Sequence, residues 1–441
     1  MANKTPLDRI LHLLIQFLEA KTDIFSRDEV DNPQIYHYFK EIIRYWSKLN
    51  FIILTTSGTM KNRPPLQAKL LYAAYRTFFE NSAIRPLLEE LNSVSMTPTE
   101  RDFLTSFLNK IHTFNWELAL HQKSVDERLS LELAVPTFVI QKLRPVMTPD
   151  FLHLNLQEMN SQKEKSTQPL RINTLGAEDA EDDFISRIKS DLRRQGIEFQ
   201  QDSEFPEILH IPTEKKAILI RSEWYRSGYL VFQDKSSVAI VSILSPQPNE
   251  LICDLSAAPG MKTSLIAQYT QNTAHLIAID VNLHRVNQMK QLLRHLHVLN
   301  VHTLNADGLN LPFPLPFKFD KVLLDAPCTG SGNFLANPEL KWRQNKKFLQ
   351  QNCYFQQKLL ESAIDILKPH GTLVYSVCSL YPEEGETQLL KFKDHLKPLD
   401  LPKWVSPSYK IGDSSLEGMG RLFPASHHTQ GFFLAKLQKI N

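Results

Sequence analysis

Apolar positions in the first third of the chain recur at steps of three and four. Leu7, Ile10, Leu11, Leu14 and Leu18 share one helical face, and Ile35, Phe39, Ile42, Trp46 and Leu49 share a second. Leu70, Leu71, Ala74 and Phe78 make a third stripe. Thr5-Pro6 with Asp8 has the chemistry of a helix start, and Pro64-Pro65 opens the third helix. Strand-type alternation is scarce before about residue 135. The pattern predicts an all-helical domain over 1–133 whose aromatic stripes are core.

From about Pro136 the pattern changes. Thr137-Phe138-Val139-Ile140 and a polar stretch from Ser161 to Gln168 lead to Leu170-Arg171-Ile172-Asn173-Thr174-Leu175, read as a short strand. A helix follows with Phe184, Ile188 and Leu192 on one face, and Gly196 is placed to end it. Ile208 to Ile211 and Ala217 to Ile220 are short apolar pieces. These predict a small α+β module over 134–232, tinted basic by Arg193, Arg194, Lys215 and Lys216, which as single residues read as solvated surface.

Residues 228–237 form the hinge into a third region, 233–441. There, apolar strands at 251–255, 276–280, 301–305, 321–325, 371–376 and 431–436 alternate with helical segments. Such alternation predicts an α/β fold with a parallel, doubly wound sheet. Ligands in such sheets bind outside the carboxyl ends of the strands, which is where the polar signals of this region fall.

Composition changes this picture little. The chain has 441 residues, too many for one ordinary domain, and is 42% hydrophobic and 22% charged, as expected of a globular protein. No apolar run is long enough for a spanning helix, and Met1-Ala2-Asn3-Lys4-Thr5-Pro6 lacks the pattern of a signal peptide, so a cytoplasmic protein is expected. The four cysteines include no C-x-x-C pair, which argues against a zinc site or a redox dithiol. A net charge of +2 permits a local basic face for nucleic acid without requiring one.

The first turn of the third region is Ser256-Ala257-Ala258-Pro259-Gly260-Met261-Lys262. Its small residues let backbone amides approach a ligand, but it lacks the glycines of a dinucleotide or phosphate loop. Asp280 ends the second strand, where a carboxylate can accept the hydroxyls of a ribose. Asp307 follows the third strand and suits an adenine amino group. Arg285 and Arg294 lie in the helix between them, where solvated surface is the ordinary reading. Asp254, at the end of the first strand, Asp280 and Asp307 make three strand-end acids at regular steps, which indicate S-adenosylmethionine rather than a nicotinamide cofactor.

Two thiols stand out. Cys253, within a strand, and Cys353, in a helix, read as inert packing. Cys328 and Cys378 each follow an apolar strand at the cofactor-facing rim, where Lys262 and a helix start after Gly330 would favour a thiolate. Thiols suit methyl transfer to carbon 5 of cytosine. Thiolate attack at carbon 6 makes carbon 5 nucleophilic, an acid such as Asp325 assists at N3, and a second thiol can help expel the first.

The segments 254–263, Asp325-Ala326-Pro327-Cys328-Thr329-Gly330-Ser331-Gly332 and 375–384 resemble the Sun/Fmu-type RNA cytosine-C5 methyltransferases, as do Phe232-Gln233-Asp234, Lys341-Trp342-Arg343 and Gly431-Phe432-Phe433-Leu434-Ala435-Lys436. The resemblance runs from about Phe232 to the end. It implies a Rossmann-like S-adenosylmethionine-dependent methyltransferase domain, with Cys378 as nucleophile and Cys328 as the thiol of product release. It also implies that Ser256 to Lys262 hold the methionine part of the cofactor, Asp280 the ribose, Asp307 the adenine, and Asp325 the methyl group and target base; Arg285 stands as a further cofactor-binding candidate. A NusB-like front domain and the α+β module imply RNA binding, with 16S ribosomal RNA as leading substrate, no DNA and a monomeric protein. Transfer RNA is the second substrate class, and a non-catalytic RNA-binding assembly factor is the alternative from another class. Val377, Gly385, Met261, Gln430 and Leu335-Ala336-Asn337 depart from the family's usual residues without removing a catalytic group.

Overall fold

A computed structural model describes residues 5–20, 32–58, 63–160, 167–178, 180–314, 317–412 and 417–440. Residues 1–4 of the leader reading and 161–166 of the polar stretch lie outside them. The chain forms two compact units, residues 1–160 with 334–345, and residues 161–333 with 346–441.

The first unit is helical. Its first helix, Pro6–Ala20, starts as expected: Asp8 accepts from the Thr5 N–H at 3.0 Å, and the Thr5 hydroxyl accepts from the Asp8 N–H at 3.1 Å. The stripe running from Ile35 to Leu49, read as one helix, is two, Pro33–Arg44 and Trp46–Ser57, broken at Tyr45. Later helices begin at capping boxes, Thr97 with Glu100 and Ser124 with Glu127. Helices continue beyond residue 133. Thr137–Leu143 and Pro149–Glu158 are both helical, the first preceded by Pro136 and the second opened by Pro149 and capped by Thr148, which accepts from the Phe151 N–H at 3.4 Å. The predicted stripes are core, with Leu14, Phe39, Ile42, Leu49, Leu70 and Leu71 all buried.

Residues 334–345 belong to this unit, although in sequence they interrupt the other one. Lys341 is wholly buried and donates to the Arg44 carbonyl at 3.1 Å and to Asn160 Oδ1. Trp342 Nε1 donates to the Ile43 carbonyl at 2.8 Å, and its ring meets Trp46 edge-on at 5.2 Å. Burial, then the charge of Arg44, push Lys341 well below the ordinary lysine range.

The second unit holds two sheets. The smaller is antiparallel, in the order β2-β3-β1-β4, from β1 (Thr167–Ile172), β2 (Gln200–Gln201), β3 (Ile208–Pro212) and β4 (Leu230–Phe232). The helix Glu181–Arg194 covers it and ends at Gly196, which takes φ +67°. The piece Ala217 to Ile220 lies in a short helix, Lys216–Arg221. Asn173 ties this sheet to the next, donating to the carbonyls of Gly228 and Leu296 at 2.9 and 3.0 Å.

The larger sheet contains β5 (Leu251–Leu255), β6 (His275–Asp280), β7 (Val301–Asn305), β8 (Phe319–Asp325), β9 (Leu367–Val377), β10 (Leu396–Pro398), β11 (Ser406–Pro407), β12 (Met419–Leu422) and β13 (Phe432–Lys439). Its order is β11-β12-β13-β9-β8-β5-β6-β7, with β10 on β13. β5 to β9 pair in parallel, as the alternation predicts. The last strand was expected to be parallel too, but β13 runs antiparallel to β9. Between them the chain makes short antiparallel pieces and no long crossover helix, so it enters from the opposite end. The chain leaves β5 for β6 and β7 on one side and returns to β8 on the other, so the β5/β8 seam is the switch point where such sheets bind ligands.

Candidate active site

The turn after β5 is built for close approach. Gly260 takes φ +101°, and a Cβ there would come within 2.9 Å of Met289. Ser256 takes φ +152°, a backbone region that side chains rarely occupy and that concentrates at functional sites. The Ala257 N–H donates to the Ile279 carbonyl at 2.8 Å, which ties the turn to β6. Gln233, from the hinge, donates to the Met261 carbonyl at 3.3 Å and leaves its own Oε1 buried without a hydrogen-bond partner among the described residues. A buried acceptor beside an approachable backbone suits a ligand carrying an ammonium group.

The neighbouring acids arrange themselves around that turn. Asp280 is buried, accepts from the Asn282 N–H at 3.0 Å and pairs with Arg285 at 3.3 Å. Arg285 also donates to the Ala258 carbonyl at 2.5 Å, so it joins Asp280 to the turn rather than standing free in solvent. Asp307 is exposed, and its Oδ1 accepts from the Leu309 N–H at 3.0 Å, leaving Oδ2 open among the described residues. Asp254 is fully buried, accepts from Thr263 at 2.7 Å, and is pushed up to about 6 by burial. Arg294 shares no hydrogen bond or ion pair with this group among the described residues. These residues fit an aminoacyl-nucleoside such as S-adenosylmethionine, with Asp280 for ribose hydroxyls and the 256–262 turn for the amino-acid end.

The reactive half lies across the β5/β8 seam. Lys262, at the start of the helix Met261–Tyr269, meets Asp325, at the end of β8, at 2.5 Å. Burial works against the Lys262 ammonium, but Asp325, then Asp254 and Cys378, outweigh it and push Lys262 up. Ser376 donates to the other Asp325 oxygen at 2.7 Å. Cys328 and Cys378 come together, with their sulfurs 3.0 Å apart. The Gly332 N–H donates to the Cys378 carbonyl at 3.0 Å, and the Gly431 N–H donates to the Gly332 carbonyl at 2.9 Å. A Cβ on Gly332 would sit 2.0 Å from the Gly431 carbonyl oxygen, so that crossing admits only glycine.

Two expectations need correction. No helix starts after Gly330; the next helical turn is Pro338–Arg343, in the other unit. Cys328 is therefore without a helix N-terminus, and its thiol is pushed well up, first by its hydrogen bond with Cys378 and then by burial. Cys253 lies in the core as expected, whereas Cys353 is half-buried and donates to the Glu383 carbonyl at 3.4 Å; burial pushes both thiols up, Cys353 to about 12.

Sequence reasoning missed the frame beneath the thiols. Glu384 accepts from the Thr329 N–H at 2.9 Å and from Gln356 at 2.8 Å. Arg421 and Glu386, both wholly buried, form a two-point pair at 2.8 and 2.6 Å, and Arg421 also donates to the Ser379 carbonyl at 3.0 Å. Ser331 and Ser379 lie 2.9 Å apart. In the sequence Glu384 stands only as the tail of the 375–384 segment after a strand-end cysteine, with no role given, and Glu386 and Arg421 are not singled out.

Residues 241–438 match the family described as 16S rRNA methyltransferase RsmB/F. A probable ribosomal RNA small subunit methyltransferase B of Synechocystis is 35% identical over 49% of this chain and 49% of its own length. A tRNA (cytosine(72)-C(5))-methyltransferase of Pyrococcus horikoshii is 34% identical over 52% of this chain and 57% of its own. The chain thus spans about half the length of the curated relatives it matches. A crystal structure of PH0851 superposes with a TM-score of 0.80 at 25% identity, covering 99% of both chains. A methyltransferase homolog protein from Pyrococcus horikoshii gives 0.61 at 29% identity, over 70% of this chain and 97% of its own. The Rossmann-like methyltransferase fold and the family resemblance read from the motifs are both borne out by these matches.

Proposed function

With the RsmB/F match of residues 241–438 as premise, we propose that the chain is an S-adenosylmethionine-dependent RNA cytosine-C5 methyltransferase. The observation that carries this is the thiol pair 3.0 Å apart, beside the Lys262–Asp325 pair, at the switch point of the sheet. Two thiols in contact let one add to the ring as nucleophile while the other serves its release. The bound cofactor would supply an electrophilic methyl group. Its amino-acid end would lie on the 256–262 turn, its ribose on Asp280, and its adenine near Asp307.

The protein's own part is to activate the base. The Cys378 thiolate adds to carbon 6, and the ring electrons move onto carbon 5. Lys262 and Asp325 together share a proton that can hydrogen-bond N3, which takes up the charge pushed onto the ring. After methylation, carbon 5 loses its proton and Cys378 leaves, with Cys328 as the thiol at its side. A stacked, paired cytosine hides carbon 6, so the target is unpaired or flipped.

The family description and the relative named methyltransferase B favour 16S ribosomal RNA. The relative named for cytosine 72 of tRNA favours transfer RNA as the second reading. RNA contacts by the helical unit and the α+β part belong to the same proposal, as do a monomeric state and a cytoplasmic setting that keeps thiols reduced. Among the described residues no helix is long and apolar enough to cross a membrane. Bisulfite sequencing of ribosomal and transfer RNA, with and without the gene, tests the assignment. Loss of one 5-methylcytosine in 16S RNA is expected. A loss confined to transfer RNA would select the second reading, and no loss would select the non-catalytic assembly factor.

A further inference from the structure

Glu384 has no part in the chemistry above, yet it is wholly buried beneath it. The Thr329 N–H donates to its Oε1 at 2.9 Å and the Thr329 hydroxyl to its Oε2. Gln356 donates to the same Oε1 at 2.8 Å and to the Pro327 carbonyl at 2.9 Å. Thr329 is therefore held by the carboxylate directly, and Pro327 through Gln356, which that carboxylate holds in turn. The Glu384 carbonyl accepts from the Tyr375 hydroxyl at 2.7 Å, which ties the carboxylate's own backbone to β9.

Among the described residues no cation pairs with Glu384. Arg421, whose charge reaches it, is held by both oxygens of Glu386. A buried charge with no ion-pair partner is costly, and burial pushes Glu384 up. The charge therefore asks for a reason beyond packing, and the group beside it is the Cys328 thiol.

We propose that Glu384 is a positioning residue for product release: it clamps the Pro327–Thr329 turn so that Cys328 presents its S–H to the Cys378 sulfur, and its charge keeps that proton on Cys328. The inference rests on Cys378 as nucleophile. In release, water takes the carbon-5 proton and the freed electron pair forms the carbon 5–carbon 6 double bond. The carbon 6–sulfur bond breaks with its pair on Cys378. Cys328 gives that sulfur its proton and regains one from water. The like charge of Glu384 is one of the causes that push Cys328 up, after Cys378 and burial.

Glu384→Gln keeps the shape, removes the charge and turns an amide N–H toward one of the carboxylate's donors. With RNA and S-adenosylmethionine, single-turnover methyl transfer should stay within about threefold of wild type. Decay of the RNA-linked protein band on denaturing gels should slow by about tenfold or more. Thr329→Val and Gln356→Leu each remove one donor and should slow decay less; they carry the test if Glu384→Gln fails to fold by circular dichroism. Wild-type decay in the folded variants would overturn the proposal, as would a loss of attack and release in equal measure. Cys378→Ala with full turnover would instead overturn the parent reading, so the two failures are distinct.

Discussion

At the ends of β5 and β6 the ligand-facing groups are shaped mainly by the backbone beside them, with Arg285 and Gln233 as single ties from farther off. Asp280 is capped by Asn282, two residues on, and Gly260 shapes its own turn. At the ends of β8 and β9 the reactive groups are held from far away. Cys328 and Cys378 depend on Gln356, Glu384, Glu386, Arg421 and Gly431, which lie on four further stretches of chain. The contrast follows from what each half has to do. A cofactor is recognised by groups that need only stand at strand ends. Two sulfurs held 3.0 Å apart need their loops fixed against rotation, and short polar ties from neighbouring residues cannot supply that.

The contrast can be sharpened by removing one support at a time. The largest effect should come from the reactive half itself: Cys378→Ala should lower methyl transfer by about a thousandfold or more, measured with tritiated cofactor. Next, Arg421→Met strands the buried Glu386 and should cost about 3–5 kcal/mol in urea unfolding. An unchanged midpoint would mean that the frame beneath the thiols is dispensable.

In the cofactor half the effects should be smaller. Asp254 is raised to about 6, so its protonated form is favoured in the folded state. The folded protein binds the extra proton between about 4 and about 6, and stability falls as pH rises through that window. Asp254→Asn should flatten that part of the pH profile, a difference of up to about 3 kcal/mol. Asp280→Asn should weaken S-adenosylmethionine by about tenfold in calorimetry, since Asn282 and Arg285 still hold the position. A loss as large as that of Cys378→Ala would erase the distinction between the halves.

The same contrast decides what could be read from sequence. The parallel strands β5 to β9 were legible because buried strands between helices leave continuous apolar runs. Asp280, Asp325 and both thiols were legible because strand ends are marked in the sequence. Arg285 was harder: one basic residue on a helix looks like any solvated one, and only its contacts with Asp280 and the Ala258 carbonyl set it apart. The break at Tyr45 was hidden because the apolar period continues through it. Lys341 was visible only as part of a family motif, because nothing local explains a wholly buried lysine held by Arg44 and Asn160. Glu384, Glu386 and Arg421 were least legible of all. Their types are those of surface residues, and their burial follows from the crossing of β9, β13 and the loops after them.

The division of labour between the two thiols is the centre of this account. It is tested most directly by incubating Cys328→Ala and Cys378→Ala proteins with substrate RNA and S-adenosylmethionine, then separating them on a denaturing gel. An RNA-linked band that accumulates with Cys328→Ala and is absent with Cys378→Ala is the predicted result. The reverse pattern would make Cys328 the nucleophile and contradict the assignment.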